Sequence, residues 1–224
     1  MVRIACEQMN LNKGDTLWKP PGTLPPTPPK DLPMFYQPSQ GHGLPHSPFL
    51  AVVSPRPIGW ISTRAALGDN LAPYSFFNAL ASAPPQVMFA GDTLDSISNA
   101  RETGVFAVNV VGAAMLDAMI QTSATVARGV DEFSFAGVDK AECLTIDCPR
   151  VAQAPATLEC RVLQIMTLKG KDNFMVIGEV TGVHLRDDCL VNGRFDVTRY
   201  HPAARLGYKD YAVVRDVIER SRPD

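Results

Sequence analysis

Apolar residues occur along this chain in short runs, separated by glycine, proline and small polar residues. Residues 49–54, FLAVVS, form one such run, stopped by Pro55 and Pro57, and read as a strand. IGWISTR at 58–64 reads as a second strand, with ALGDN as the hairpin turn after it. LAPYSFFNALA at 71–81 and QVMFAG at 86–91 follow as further β segments. The period then changes. Residues 92–103, DTLDSISNARET, predict a helix capped by Asp92 or Thr93, with Leu94, Ile97 and Ala100 on one face and Gly104 at its end. VFAVNVV at 105–111 reads as a buried strand. GAAMLDAMIQTSA at 112–124 reads as a helix with Leu116, Met119 and Ile120 inward. Residues 125–150 show no regular period beyond a short turn near DEFSFAG. Two long strands, 157–168 and 173–185, are joined by the hairpin loop KGKDN. In the first, Leu158, Cys160 and Val162 alternate with Glu159 and Arg161, as in a half-exposed antiparallel strand. The tail has turn chemistry at Pro202 and Gly207. Strands do not alternate regularly with helices, so an antiparallel barrel with helices outside fits better than a doubly wound sheet.

The tract KPPGTLPPTPPKDLP at 19–33 is dense in proline and favours an extended, polyproline-like chain. Residues 1–35 are therefore expected to form an extended arm, and residues 36–224 one globular domain. The hydrophobic share of 46% is ample for a core, and the net charge of −2 comes without a basic block, which argues against nucleic acid as a partner. The chain has 5 cysteines, an odd number, and no CxxC pair, so neither a disulfide framework nor a zinc knuckle is signalled; buried reduced thiols are the expectation. His42 and His46 are spaced as a helical metal pair, but GHGLPHSPF at 41–49 cannot be a helix, and no metal site is expected. No apolar run reaches membrane-spanning length and no secretory-type leader is seen, so a soluble, cytoplasmic protein with no membrane partner is expected.

Ser75 and Asn78 interrupt the apolar run Tyr74–Phe76–Phe77, and a buried polar side chain needs a partner. Three segments carry hydroxyls, amides and turn backbone suited to a phosphorylated aromatic ligand. They are RPIGWIST with Arg56, Ser62 and Thr63; NLAPYSFFN with Ser75 and Asn78; and the helix start GDTLDS with Thr93 and Ser96.

From GHGLPHSPF through PRPIGWIST, DNLAPYSFFN, DTLDSISNARETGVFAVNVV and RLGYKDY, the chain resembles the flavin reductase-like, FMN-binding split-barrel family, and most closely its flavoredoxin-type members. The similarity covers residues 35–215. It implies a mainly β fold, a six-stranded antiparallel split β-barrel with flanking helices, assembled as a homodimer with FMN near the interface. On the matching positions, Ser62 and Thr63 would hold the phosphate or ribityl chain. Ser75, Phe76 and Asn78 would lie beside the ribityl and ring, Thr93 and Ser96 at the phosphate end, and the backbone of Gly59, Trp60 and Ile61 along the ring. Relatives often carry a basic residue before the DT, where this chain has Gly91; Arg56, Arg64 or Arg101 would then offset the phosphate charge. The implied activity is NAD(P)H-dependent flavin reduction, with NADH or NADPH as donor, the flavin carrying the chemistry, and a monooxygenase or other electron acceptor downstream. An FMN-binding electron carrier or flavin-storage protein without a nicotinamide site stands as the alternative.

The remaining candidates read as structural. Trp60 is expected in the core or an interface. Tyr208 and Tyr211 are expected to pack the tail on the barrel, with His201 a weaker candidate for the substrate pocket. His184 is expected to be structural, and Asp131 and Glu132 to start a solvated helix.

Overall fold

The computed structural model describes residues 34–92 and 94–223. Two units are distinguished, divided between Leu44 and Pro45. In the first, residues 34–44 hold a 3-10 turn, Pro38–Gln40, and an edge-on contact between the rings of Tyr36 and His42. The proline-dense tract lies outside the described residues.

The second unit begins with α1 (Phe49–Val52), then β1 (Arg56–Pro57), β2 (Gly59–Ala65), β3 (Gly68–Tyr74), β4 (Phe77–Ser82) and β5 (Pro85–Asp92). Next come α2 (Asp95–Thr103), β6 (Val105–Val110), α3 (Leu116–Gln121) and α4 (Glu132–Phe135). After these lie β7 (Lys140–Glu142), β8 (Pro149–Val151) and the long pair β9 (Ala156–Thr167) and β10 (Asn173–Leu185). The tail adds β11 (Leu190–Val191), β12 (Arg194–Phe195), β13 (Ala203–Arg205) and β14 (Tyr211–Val213).

Seven of these strands form one antiparallel sheet in the order β3-β2-β6-β9-β10-β5-β4. The sheet curls until its two ends meet. The Tyr74 ring of β3 lies over Gly91 of β5, and the Phe77 ring of β4 lies over Gly59 of β2; a Cβ on either glycine would stand 2.8 Å from the ring. This is a split barrel with seven strands instead of six, because the apolar segment at 71–81 breaks at Ser75 and Phe76 into β3 and β4.

Burial on both faces of β2 divides the core in two. Trp60 belongs to an outer cluster with Leu71, Val111, Met119, Phe133 and Val151, covered by α3 and α4. Ile61 belongs to the barrel interior with Tyr74, Phe89, Ile97, Phe106 and Val176. Successive residues of a strand point to opposite faces, and this alternation assigns each side chain its cluster.

Several expectations change. Residues 49–54 are not a strand: Phe49–Val52 are helical, with the N–H groups of Ala51 and Val52 both donating to the Pro48 carbonyl. A short apolar run carries no period that separates strand from helix, and β1 takes the pairing with β13 instead. The helix at 92–103 starts at Asp95, with Leu94 at its N-cap and no side-chain cap; Gly104 closes it at φ 72°. Ile97 and Ala100 are buried, but Leu94 is exposed. Met119 is likewise buried while Ile120 is not. Glu159 does not face solvent either; it is 1% exposed, because the loop at 143–148 covers that face of β9.

Candidate functional site

β3 is the edge strand of the sheet, and its free side is the wall of a cleft of about 440 Å³. Asn70, Ala72, Pro73 and Tyr74 form that wall, facing the start of α2 and the segment from Thr122 to Arg128. A second cavity of about 280 Å³ shares Pro73 and Ser123 with the first and continues past Ser75 to Arg56, Tyr208 and Tyr211. Together the two make a trough along β3 within the size range of small-molecule sites.

The floor of the cleft is a hydrogen-bonded chain. Ser96 Oγ donates to Asn70 Oδ1 at 2.6 Å, and Asn70 Nδ2 donates to Glu132 Oε1 at 3.0 Å. Glu132 Oε2 accepts from the Leu71 amide at 3.0 Å, a donor on the open edge of β3. Burial pushes the Glu132 carboxyl above its ordinary range, and these donors offset only part of the shift. Burial likewise pushes the Tyr74 phenol up to about 12. The cation on the rim is Arg128, an exposed side chain whose Nε lies 3.1 Å from Oδ1 of the half-buried Asp95.

The structure brings some of the expected residues together here and sends others elsewhere. Ser96 lies in the first cavity; Arg56 and Ser75 line the second. Ser62 and Thr63 are neighbours on one strand and therefore point to opposite faces. Ser62 Oγ donates to the Pro149 carbonyl at 2.7 Å, toward β8; Thr63 Oγ1 accepts from Asn99 Nδ2 at 3.1 Å, toward α2. Both are fully buried. Trp60 and Ile61 are core residues, with Trp60 Nε1 donating to Thr122 Oγ1 at 2.9 Å, and Gly59 is the seat of the Phe77 ring. Phe76, 45% exposed, and Asn78, whose Oδ1 accepts from the Ala79 amide, stand on the surface by β4. Thr93 lies outside the described residues.

Arg64 and Arg101 do not approach the cleft. Arg64 is held by Asp69, Glu142 and Asp147, and the Arg101 guanidinium lies 4.9 Å from the Phe174 ring centroid. Arg56 donates to the carbonyls of Leu50, Val53 and Leu206, leaving its buried Nε without a partner beside the second cavity. Gly91 cannot accept a side chain without displacing the Tyr74 ring.

Sequence reasoning missed Arg128 and Glu132. Both sit in the aperiodic stretch after α3. Asp131 does cap α4, its Oδ1 accepting from the Phe133 amide, but Glu132 turns inward to Asn70. It also missed Asn109, which donates to Trp60 O and Ser62 Oγ and accepts from the Val151 amide and Thr157 Oγ1. Tyr211 packs on the outer core under the Arg205 guanidinium, as expected of the tail, and His184 bonds Glu159. His201 lines a different cavity, with Tyr200 and Arg186.

Comparison with known proteins gives a consistent picture. The family described as flavin reductase like domain matches residues 53–203. An uncharacterized protein of Deinococcus radiodurans is 37% identical over 187 residues, covering 77% of this chain and 82% of its own. The crystal structure of 2-nitrobenzoate 2-nitroreductase from Pseudomonas fluorescens superposes with a TM-score of 0.72 at 30% identity, covering 78% of this chain and 88% of that one. That of nitrilotriacetate monooxygenase component B from Bacillus cereus gives 0.74 at 26% identity, covering 77% and 90%. Among the described residues no helix is long and apolar enough to cross a membrane.

Proposed function

Because this chain belongs to the flavin reductase-like family, we propose that it is an oxidoreductase that binds FMN in the trough along β3 and reduces it with NADH or NADPH. The observation that carries the reading is the meeting, in one cleft, of an apolar wall, a helix start and a cation: Ala72, Pro73 and Tyr74, the first turn of α2, and Arg128. A helix N-terminus with free N–H groups beside a guanidinium suits a phosphate. The adjoining cavity adds the unpartnered Arg56 Nε and Ser75, so the donor set fits a ligand with a phosphate and a polar, planar ring.

When bound, FMN supplies the hydride chemistry. The chain's own part is to bind and orient it. Arg128, the exposed member of its pair with Asp95, turns to the phosphate. Ser96 fixes Asn70, which holds the β3 wall in place. Pro73 and Tyr74 exclude water from one side of the ring. Trp60, Ile61, Ser62 and Thr63 act as positioning residues, since β2 is locked between β3 and β6. Phe76 and Asn78 belong, on this reading, to the side of the site completed by a second subunit. Exposed Leu80, Leu163 and Met166 on β4 and β9 support a homodimer. A monooxygenase or another electron acceptor receives the reduced flavin.

Fluorescence titration of the purified protein with FMN and riboflavin tests the cleft. Arg128→Ala is expected to weaken FMN by roughly tenfold to a hundredfold and riboflavin by far less, the value of a charge-assisted contact. Loss of nicotinamide absorbance on mixing with FMN tests the activity. No turnover with either donor overturns the reductase reading, and tight flavin reduced only by a protein partner assigns an electron carrier. Light scattering in solution tests the dimer.

A further inference from the structure

We propose that Cys143 and Cys148 form a dithiol oxidised by hydroperoxide to an intramolecular disulfide, a modification site on the β7–β8 hairpin, apart from the cleft. The inference is independent of the flavin reading.

The register of the hairpin sets the pair. Lys140 faces Val151, Ala141 faces Arg150 and Glu142 faces Pro149. One step further, Cys143 faces Cys148, and the Cys143 amide donates to the Cys148 carbonyl at 3.1 Å. Residues directly opposite on antiparallel strands have Cα atoms about 4.5–5.5 Å apart, inside the span a disulfide accepts. The side chains turn to the same side. Cys143 packs on the small cluster that contains Cys148, Val105, Ala107 and Ile146. Both are free cysteines.

The two sulfurs differ in the way a stepwise oxidation needs. Cys148 is buried, and its thiol donates to the Ser62 carbonyl at 3.2 Å. The neighbouring Cys143 thiol, and after that burial, push it well above the ordinary thiol range, so it stays protonated. Cys143 is half-buried and reaches solvent. It is the sulfur that meets the oxidant, and Cys148 is the one that resolves. The loop between them is already fixed. Its Leu144 and Thr145 amides donate to Glu159 at 2.7 and 2.6 Å, and Asp147 bonds Arg64 at 2.9 Å.

The chemistry balances with hydrogen peroxide as the oxidant. The Cys143 thiolate attacks one peroxide oxygen; the O–O bond breaks, an S–O bond forms, and the other oxygen leaves as hydroxide, which takes up one proton to become water. Cys148 then loses its proton, and its sulfur displaces the hydroxyl of the Cys143 sulfenic acid, which leaves as a second water. Two thiols are oxidised by two electrons, and one peroxide becomes two waters. The product staples the loop that covers Glu159.

The sequence provides a direct readout. Trypsin cutting after Lys140 and Arg150 releases a peptide, Ala141 to Arg150, that holds these two cysteines and no other. The reduced full-length protein is treated with hydrogen peroxide, alkylated and digested. The expected peptide is unalkylated and about 2 Da lighter than the dithiol, and returns to a doubly alkylated form after dithiothreitol. In Cys148→Ala, dimedone is expected to trap Cys143 about tenfold more than in the wild type; in Cys143→Ser, Cys148 is expected to stay unmodified. The wild-type peptide decides the matter even where a variant fails to fold. Recovery of a doubly alkylated peptide after oxidation, or of Cys143 sulfinic acid without the bridge, overturns the proposal.

Discussion

Glu132 and Glu159 are both buried carboxylates, 5% and 1% exposed, yet the protein treats them in opposite ways. Glu132, beside the cleft, accepts one amide of Asn70 and one backbone N–H, and burial wins: its carboxyl is held above the ordinary range. Glu159, under the loop at 143–148, is also desolvated. The Thr145 hydroxyl, the Leu144 amide, His184 and the Thr145 amide outweigh that and hold it at about 2. Burial alone does not fix the charge of an acid; the number of donors that converge on it does. The contrast separates a charge held for structure from one left tunable at the wall of a candidate site.

The widest test of the comparison is to remove Glu159. Glu159→Ala leaves two backbone amides and His184 without their acceptor, and is expected to cost about 3–5 kcal/mol by chemical denaturation. An effect under about 1 kcal/mol would mean that water replaces the carboxylate freely. Next in size is the acid limb. The Glu159 carboxyl is depressed from 4.5 to about 2 in the folded chain, so its stabilisation is complete above the unfolded value and lost as pH falls through the folded one. Stability is expected to drop by about 3 kcal/mol between pH 5 and pH 2, and Glu159→Gln to flatten that limb. His184→Ala removes one of the converging donors and is expected to cost about 1–2 kcal/mol, with the acid limb shallower but present. The smallest effect is expected at the other acid. The Glu132 carboxyl is raised, so its ionised form opposes folding, and stability from this group is gained as pH falls through the folded value. Glu132→Gln is expected to change stability at neutral pH by less than about 1 kcal/mol. A large loss there would show that Glu132 works as a second structural anion.

The contrast also shows where the sequence was readable. Glu159 alternates with Leu158 and Cys160 in a pattern that spells an outward position. The period was right, but the lid over that face comes from residues 143–148, which have no period of their own. Glu132 follows Asp131 in what reads as a solvated helix start; Asp131 does cap α4, and only the approach of β3 turns Glu132 inward. The helix at 92–103, the strands around it and the long β9–β10 hairpin were legible because their apolar spacing is strong. The short run at 49–54 was not, since so few residues fit either period. Of the expected cleft residues, Ser75 and Ser96 lie along it, while Ser62 and Thr63 were separated by the pleat of β2.

The order of apolar runs, turn residues and motifs by itself determined the antiparallel barrel, its helices and the flavin reductase-like membership, because periodicity and local turn chemistry are written residue by residue. The tertiary structure alone decided which polar side chains are consumed inside and which face the trough. Hydrogen bonds such as Asn70 to Glu132 and Asn99 to Thr63 join residues far apart in the chain, and no local pattern records which donor will meet which acceptor once the sheet has curled.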